Sequence, residues 1–159
     1  MDTKEFEKNL LVCFKKLKIN KSKNIYVTSN LSNIAKIRIR KEKKIYSIYN
    51  CLTKTIGKNF SLFAPAASMN LCNTNVYFDP KNTPSHNMGP LAEFIRKHKK
   101  SVRSLHPFWS VSGIGKNSKI LKNISKHAYG YNSPWSKMLD LDFLQVNIGT
   151  HPSKAVTLV

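Results

Sequence analysis

Ile25-Tyr26-Val27-Thr28-Ser29-Asn30-Leu31-Ser32 opens the stretch whose reading decides the fold, residues 25–63, which ends in Phe60-Ser61-Leu62-Phe63. The first four residues are β-branched or aromatic and give way to a polar loop, the pattern of a short buried strand. Residues 42–56 follow a different period: Ile45, Ile48, Leu52 and Ile56 share one face of a helix, and Gly57 suits a left-handed C-terminal cap. Phe60 to Phe63 then reads as a second strand, broken by Pro65. Upstream, Phe6, Leu10, Phe14 and Leu17 recur at helical spacing, with Asp2 or Thr3 able to cap the start and Lys15, Lys16 and Lys18 near the C-terminal end of the dipole. Helix, strand, helix, strand is the rhythm of an α/β layer protein with a partly parallel sheet.

Residues 66–87 show no sustained period and are rich in Asn, Pro, Thr and Ser, which predicts a long loop rather than a linker. Pro90 suits the first position of a helix through about His98, with Leu91, Phe94 and Ile95 facing inward. After Ser110-Val111-Ser112, Gly113 and Gly115 precede a predicted helix carrying Ile120, Leu121 and Ile124. Ser133-Pro134 opens a short helical turn, and Phe143-Leu144-Gln145-Val146-Asn147-Ile148 is the last strand expected.

A chain of 159 residues is long enough for one domain, 1–159, with a real core. Its formal net charge of +19 comes as much from scarcity of acids, 8, as from the 27 Lys and Arg. That balance points toward polyanions such as nucleic acid, an anionic surface or a phosphorylated cofactor. A basic composition spread over a solvated surface explains it equally well, because the sequence is rich in Lys, Asn and Ile. The three cysteines, Cys13, Cys51 and Cys72, lack the spacing of a disulfide framework or a zinc cluster, which fits a reducing compartment. The N-terminus is unlike a secretory signal and no window reaches the roughly 18 apolar residues of a membrane span, so a soluble, cytoplasmic protein is expected.

Local motifs are weak on their own. Gly113-Ile114-Gly115-Lys116-Asn117-Ser118 lacks the spacing of a P-loop or a dinucleotide fingerprint, which favours a plain turn over a phosphate cradle. His106 and His151 each precede a proline, and none of the five histidines has the partners of a metal site or a triad, so no metal is expected. The basic run Arg96-Lys97-His98-Lys99-Lys100 has no accompanying nucleic-acid motif, which makes nucleic acid an unlikely partner and a solvated face the simpler account.

Taken in order, the motifs resemble one family. Phe78-Asp79-Pro80-Lys81-Asn82-Thr83-Pro84-Ser85 followed by Met88-Gly89-Pro90-Leu91-Ala92-Glu93-Phe94 is similar to the stretch leading to the Gly-x-Leu-x-Glu helix of the aminoglycoside 3-N-acetyltransferases. Val102-Arg103-Ser104-Leu105-His106-Pro107 with Ser110-Val111-Ser112-Gly113 resembles that family's Arg-Ser-x-His-Pro-x-x-Ser-Val signature. Tyr129-Gly130-Tyr131-Asn132-Ser133-Pro134-Trp135 is similar to its Gly-x-x-Ser-Pro turn, and residues 142–149 resemble the strand that ends in Gly. Upstream, Val27-Thr28-Ser29-Asn30-Leu31-Ser32 is similar to a His-Ser-Ser-Leu-Ser loop. Asn30 and Ala66 depart from the family's hydroxyl residues.

The resemblance implies a three-layer α/β/α domain with a mixed sheet, of which this chain carries the N-terminal part. It implies an acyltransferase with acetyl-CoA as donor and, as acceptor, an amine on an aminoglycoside or another amino sugar. Thr28, Ser29 and Ser32 would lie near the pantetheine, Ser110, Val111, Ser112 and Gly113 would line the thioester end, and Arg103 with His106 would hold that turn. Equally, Arg103, His106 and Pro107 could simply brace the loop. Thr157-Leu158-Val159 aligns with the residues just before the family's catalytic histidine, so the base and its acidic orienter are expected beyond Val159, and His151 is not expected to be that base. Incomplete cover of the last strand would leave Phe143, Leu144, Val146 and Ile148 exposed or paired, hence self-association. With few acids to bind a polycation, a sugar of surface polysaccharide is as plausible an acceptor as an antibiotic. The alternative from another class is a non-enzymatic basic protein that binds nucleic acid or another polyanion.

Overall fold

The computed structural model describes residues 2–34, 37–151, 153 and 155; Thr157-Leu158-Val159, aligned above with a family motif, lies outside them. Four helices and five strands follow one another as α1 (Thr3–Lys16), β1 (Asn24–Ser29), α2 (Lys41–Ile56), β2 (Ser61–Pro65), α3 (Pro90–Lys97), β3 (Val102–Arg103), β4 (Val111–Gly115), α4 (Pro134–Asp140) and β5 (Leu144–Ile148). The strands form one mixed sheet in the order β3-β4-β2-β1-β5. β1 runs parallel to both β2 and β5, whereas β4 is antiparallel to β2 and β3.

Alternation along the strands divides the core in two, because successive side chains leave opposite faces of a sheet. Ile25, Val27, Leu62, Ala64, Ile114, Val146 and Ile148 pack with Phe6 and Phe14 of α1, Ile45, Ile48 and Leu52 of α2, and Leu91 and Ile95 of α3. Tyr26, Phe63 and Val111 point the other way, against Leu121, Phe143 and the α4 residues Trp135 and Met138. Tyr26 meets Trp135 edge-on at 5.3 Å between centroids, and Phe63 lies 4.6 Å from Phe143. The result is the three-layer α/β/α arrangement, with a thinner second helical layer.

Local chemistry accounts for the element ends. The Asp2 carboxylate accepts the Glu5 N–H at 2.8 Å and caps α1. Ser133 does the same for Ser136 at the head of α4, with Pro134 in the first turn.

Several sequence expectations shift. Gly57 ends α2 at positive φ (80°), but its ψ of −163° lies outside the left-handed helical basin. Pro65 does not break the second strand: β2 runs from Ser61 through Pro65, which pairs with Val111 on β4. The β1 pairing ends at Phe63, so the missing proline N–H falls past that ladder. The predicted helix around Ile120 is a 3₁₀ turn, Ser118–Lys122, that has no side-chain cap at Asn117 yet buries Leu121. On β5 and its approach, Phe143, Val146 and Ile148 are buried and only Leu144 is exposed, at 39 %. No helix among the described residues is long and apolar enough to cross a membrane.

Candidate functional site

Where β1 and β5 end side by side, with Ser29 paired to Ile148, the chain opens a cleft of about 1080 Å³. In open α/β sheets ligands bind beyond the carboxyl ends of parallel strands, which is this edge. The loop after β1 supplies Ser29, Asn30 and Ser32, the approach to α2 supplies Arg38, Arg40 and Lys41, the head of α3 supplies Gly89 and Pro90, and the chain after β5 supplies Thr150 and His151. Hydrogen bonds set the walls: Asn30 N–H donates to Ile148 O at 2.9 Å, and Asn33 Nδ2 donates to Gly149 O at 2.5 Å. Gly89 is needed at its place. It sits at φ 86°, and a Cβ there would stand 3.0 Å from the Ser29 carbonyl oxygen.

Two features of this cleft ask for a ligand. The Ser29 Oγ and Thr150 Oγ1 atoms are buried without a hydrogen-bond partner among the described residues, a costly state for a hydroxyl. The charged residues of the lining are also all cations: Arg38, Arg40 and Lys41 are exposed, and among the described residues no carboxylate lines the cleft and none of the three is in an ion pair. They stand at the N-terminus of the 16-residue α2, whose dipole adds positive potential there. Lys44, one turn on, is tied down by donating to Ile34 O at 3.1 Å.

Arg103 and Ser110 occupy a different place. Arg103 is buried at the start of β4's antiparallel pairing, and its guanidinium is spent on the protein itself. Nε donates to Ser110 Oγ at 2.9 Å, Nη1 to Thr83 O at 2.5 Å, and Nη2 to Ser68 Oγ at 2.8 Å and to Ala66 O. The Phe78 ring covers the guanidinium carbon at 4.8 Å. Burial, reinforced by Arg96, pulls its pKa down to about 10, which leaves it charged at neutral pH. Ser110 Oγ donates to Ala66 O at 2.9 Å. A second clamp joins the same loop to α3: Arg96 bonds Glu93 through two nitrogens at 2.7 and 2.8 Å and Lys81 O at 2.9 Å, while Ser85 Oγ donates to Glu93 at 2.7 Å. Residues 66–87 are therefore an irregular but pinned loop, and the pins fix the head of α3 on the cleft.

The residues singled out from sequence thus divide. Ser29 and Ser32 line the cleft, and Thr28, one residue back, donates to Asn147 Oδ1 at 2.6 Å. Arg103, His106, Ser110, Val111, Ser112 and Gly113 do not line it. His106 is half-buried and its Nδ1 accepts the Trp109 N–H at 3.1 Å, bracing the turn into β4; burial and the nearby His127 hold its pKa below the usual histidine range. Val111 and Gly113 face the Phe63 side, and Ser112 lies under α3 with a buried, unpartnered Oγ. Gly115 ends β4 at φ 99°, and Gly113 in the middle of the strand makes room for the Phe63 ring. Sequence reasoning did not single out Arg38, Arg40, Lys41, Gly89 or Thr150. The signal was there in Arg38-Ile39-Arg40-Lys41, a cationic run at a helix start, but it was lost among 27 bases. Among the described residues, no group of three or more His, Cys, Asp or Glu could hold a metal ion.

Comparison with known proteins now adds to this geometry. The family model described as aminoglycoside 3-N-acetyltransferase matches residues 27–158. No curated protein sequence matches the chain. Among solved structures, sisomicin-bound AAC-VIa superposes with a TM-score of 0.74 at 19% identity, over 92% of this chain and 60% of that one. AAC-IIIb in binary complex with CoASH gives 0.71 at 20% identity, over 84% and 55%. The YokD protein of Bacillus subtilis gives 0.71 at 20% identity, over 83% and 60%. At these identities the structures speak for the fold, and this chain spans about 60% of the length of the first of them. With the family model covering most of its residues, the chain belongs to the aminoglycoside 3-N-acetyltransferase family.

Proposed function

We propose that this chain carries the acetyl-CoA-binding part of an N-acetyltransferase whose acceptor is the amine of an aminoglycoside or another amino sugar. The observation that carries the reading is the cleft at the β1–β5 edge, where unpartnered hydroxyls of Ser29 and Thr150 meet the unpaired cations Arg38, Arg40 and Lys41. A pantetheine arm offers amide groups that would satisfy such hydroxyls, and the phosphates of coenzyme A match cations at a helix N-terminus. AAC-IIIb, with the same fold, has been solved with CoASH. When bound, acetyl-CoA supplies an activated acyl group. The chain's own residues hold it: the α2 head neutralises phosphate charge, and the Arg103 and Arg96–Glu93 clamps keep the α3 wall in place.

Transfer also needs a base to take the proton from an ammonium acceptor, roughly a hundred- to ten-thousand-fold effect. Among the described residues no histidine is paired with a carboxylate, and His151 instead meets Ser153 Oγ at 2.7 Å. The expectation is binding without turnover by residues 1–159. At about a hundred times its Kd, acetyl-CoA should stabilise the chain by about 2.7 kcal/mol, a rise in Tm of roughly 5–10 °C for this size. Thiol release with a panel of aminoglycosides and amino sugars should stay at the no-enzyme rate. Absence of any acetyl-CoA-dependent shift would contradict the binding assignment. Turnover above background would contradict the second part and place a base within these residues.

A further inference from the structure

A second cationic cleft lies across the sheet from the first, against the free edge of β3. Its walls come from three separate segments: Lys81 from the pinned loop, Lys97, Lys99 and Lys100 from the end of α3 and the bend after it, and Lys119 and Lys122 from the 3₁₀ turn after β4. All six are exposed, and no carboxylate lines the groove. Lys97 alone has an ion-pair partner among the described residues, Glu93 at 3.5 Å, and Glu93 is already engaged by Arg96. Like charges held together this way repel, and an anion along the groove relieves that repulsion.

Two further observations point to a ligand rather than to charge that merely blunts a sheet edge. Val102 and Arg103 line the groove on the side of β3 that pairs with no strand among the described residues. Ser101, also in the lining, buries an Oγ with no hydrogen-bond partner among the described residues. The chemistry is that of phosphate contact: lysine ammonium groups are compact point charges, while the two arginines of the lining are spent on internal bonds. No Phe, Tyr or Trp lines the groove to stack a base. A concave groove with lysines supplied by three separate segments also suits a strand of phosphates better than a flat bilayer.

We propose that this groove binds the phosphodiester backbone of a nucleic-acid strand, by charge and without reading bases. The test is fluorescence anisotropy with short labelled single strands, one of dT and one of mixed sequence, across a salt series. The proposal expects equal affinity for the two, and a slope of log affinity against log salt that falls by about 1.4 in Lys119→Gln/Lys122→Gln, for two phosphate contacts at about 0.7 each. An equal loss of charge elsewhere, Lys4→Gln/Lys8→Gln on α1, should leave the slope unchanged, and saturating acetyl-CoA should not displace the strand. Circular dichroism melts of both variants control for folding. Equal slopes in the two double variants would overturn the proposal, since binding would then follow net charge alone. Displacement by acetyl-CoA would overturn it by moving the strand to the β1–β5 cleft. Binding to anionic vesicles that depends on Lys119 and Lys122, with no strand binding, would replace it with a membrane contact.

Discussion

Arg103 shows how a residue conspicuous in the sequence can be explained by architecture. Its planar fork reaches four partners on three segments, an arrangement a lysine ammonium cannot reproduce. Replacing it with Met leaves the half-buried Thr83 carbonyl without this donor and takes one of two donors from the buried Ala66 carbonyl, which keeps Ser110 Oγ, at about 1–3 kcal/mol for a group orphaned. Arg103→Met should therefore lower the Tm by several degrees and expose residues 69–87 to limited proteolysis. An unchanged Tm with lost acetyl-CoA affinity would instead make Arg103 a cofactor contact. Glu93 gives a pH signature. Burial by itself would raise its carboxyl, but hydrogen bonds from Arg96 and Ser85 outweigh burial and bring it to about 2. An unfolded glutamate titrates near about 4.3, so the native state holds the proton less tightly. The stability this contributes is complete above about pH 4.3 and is lost as pH falls toward 2. Urea unfolding at a series of pH values should show that loss in the native chain and a shallower slope over the same window in Glu93→Gln. Identical slopes would mean that the clamp does not form.

Among the elements, β4 is the one whose residues were read most differently from sequence and from structure. Val111-Ser112-Gly113, which the family resemblance places at the cofactor, forms a strand between β2 and β3 with Gly113 against Phe63. A methyl group at Gly113 would overlap that ring, and such overpacking costs about 1–3 kcal/mol. Gly113→Ala should destabilise the chain by that amount in chemical denaturation, while Gly130→Ala, which has open space around it but positive φ, should register only backbone strain. If both cost the same, the Phe63 contact is not what selects glycine. Elements with a strong period were legible: α1 and α2 from their apolar faces, β1 from four residues, the start of α3 from Pro90. The 3₁₀ turn around Leu121 was read as a helix because burial of Ile120, Leu121 and Ile124 mimics a helical face. Strand order and the antiparallel β4 depend on pairings between residues such as Ser61 and Gly115, far apart in sequence, which local period does not encode.

For the whole molecule, fewer than half of the 27 Lys and Arg gather at two places with different geometry. One is the β1–β5 cleft, with orphan hydroxyls and the α2 head; the other is the β3-edge groove, with exposed lysines beside two internally bonded arginines and an orphan serine. Composition could announce the charge but not its division, because the cations of each cleft come from segments that only the sheet brings together. Ser29 and Ser32 were within reach of sequence reasoning through the loop resemblance. Thr150 was not, since it joins them only through the parallel β1–β5 pairing. The account rests on the first cleft holding acetyl-CoA by its phosphates, and calorimetric titration tests that most directly. Acetyl-CoA should bind residues 1–159 with a one-to-one stoichiometry, and Arg38→Gln/Arg40→Gln should weaken it by at least about tenfold, some 1.4 kcal/mol, with an unchanged melting profile of the free chain. Lys119→Gln/Lys122→Gln should bind it as the native chain does. Full affinity in the arginine variant, or loss in the lysine variant, would contradict the assignment of the cofactor to this cleft.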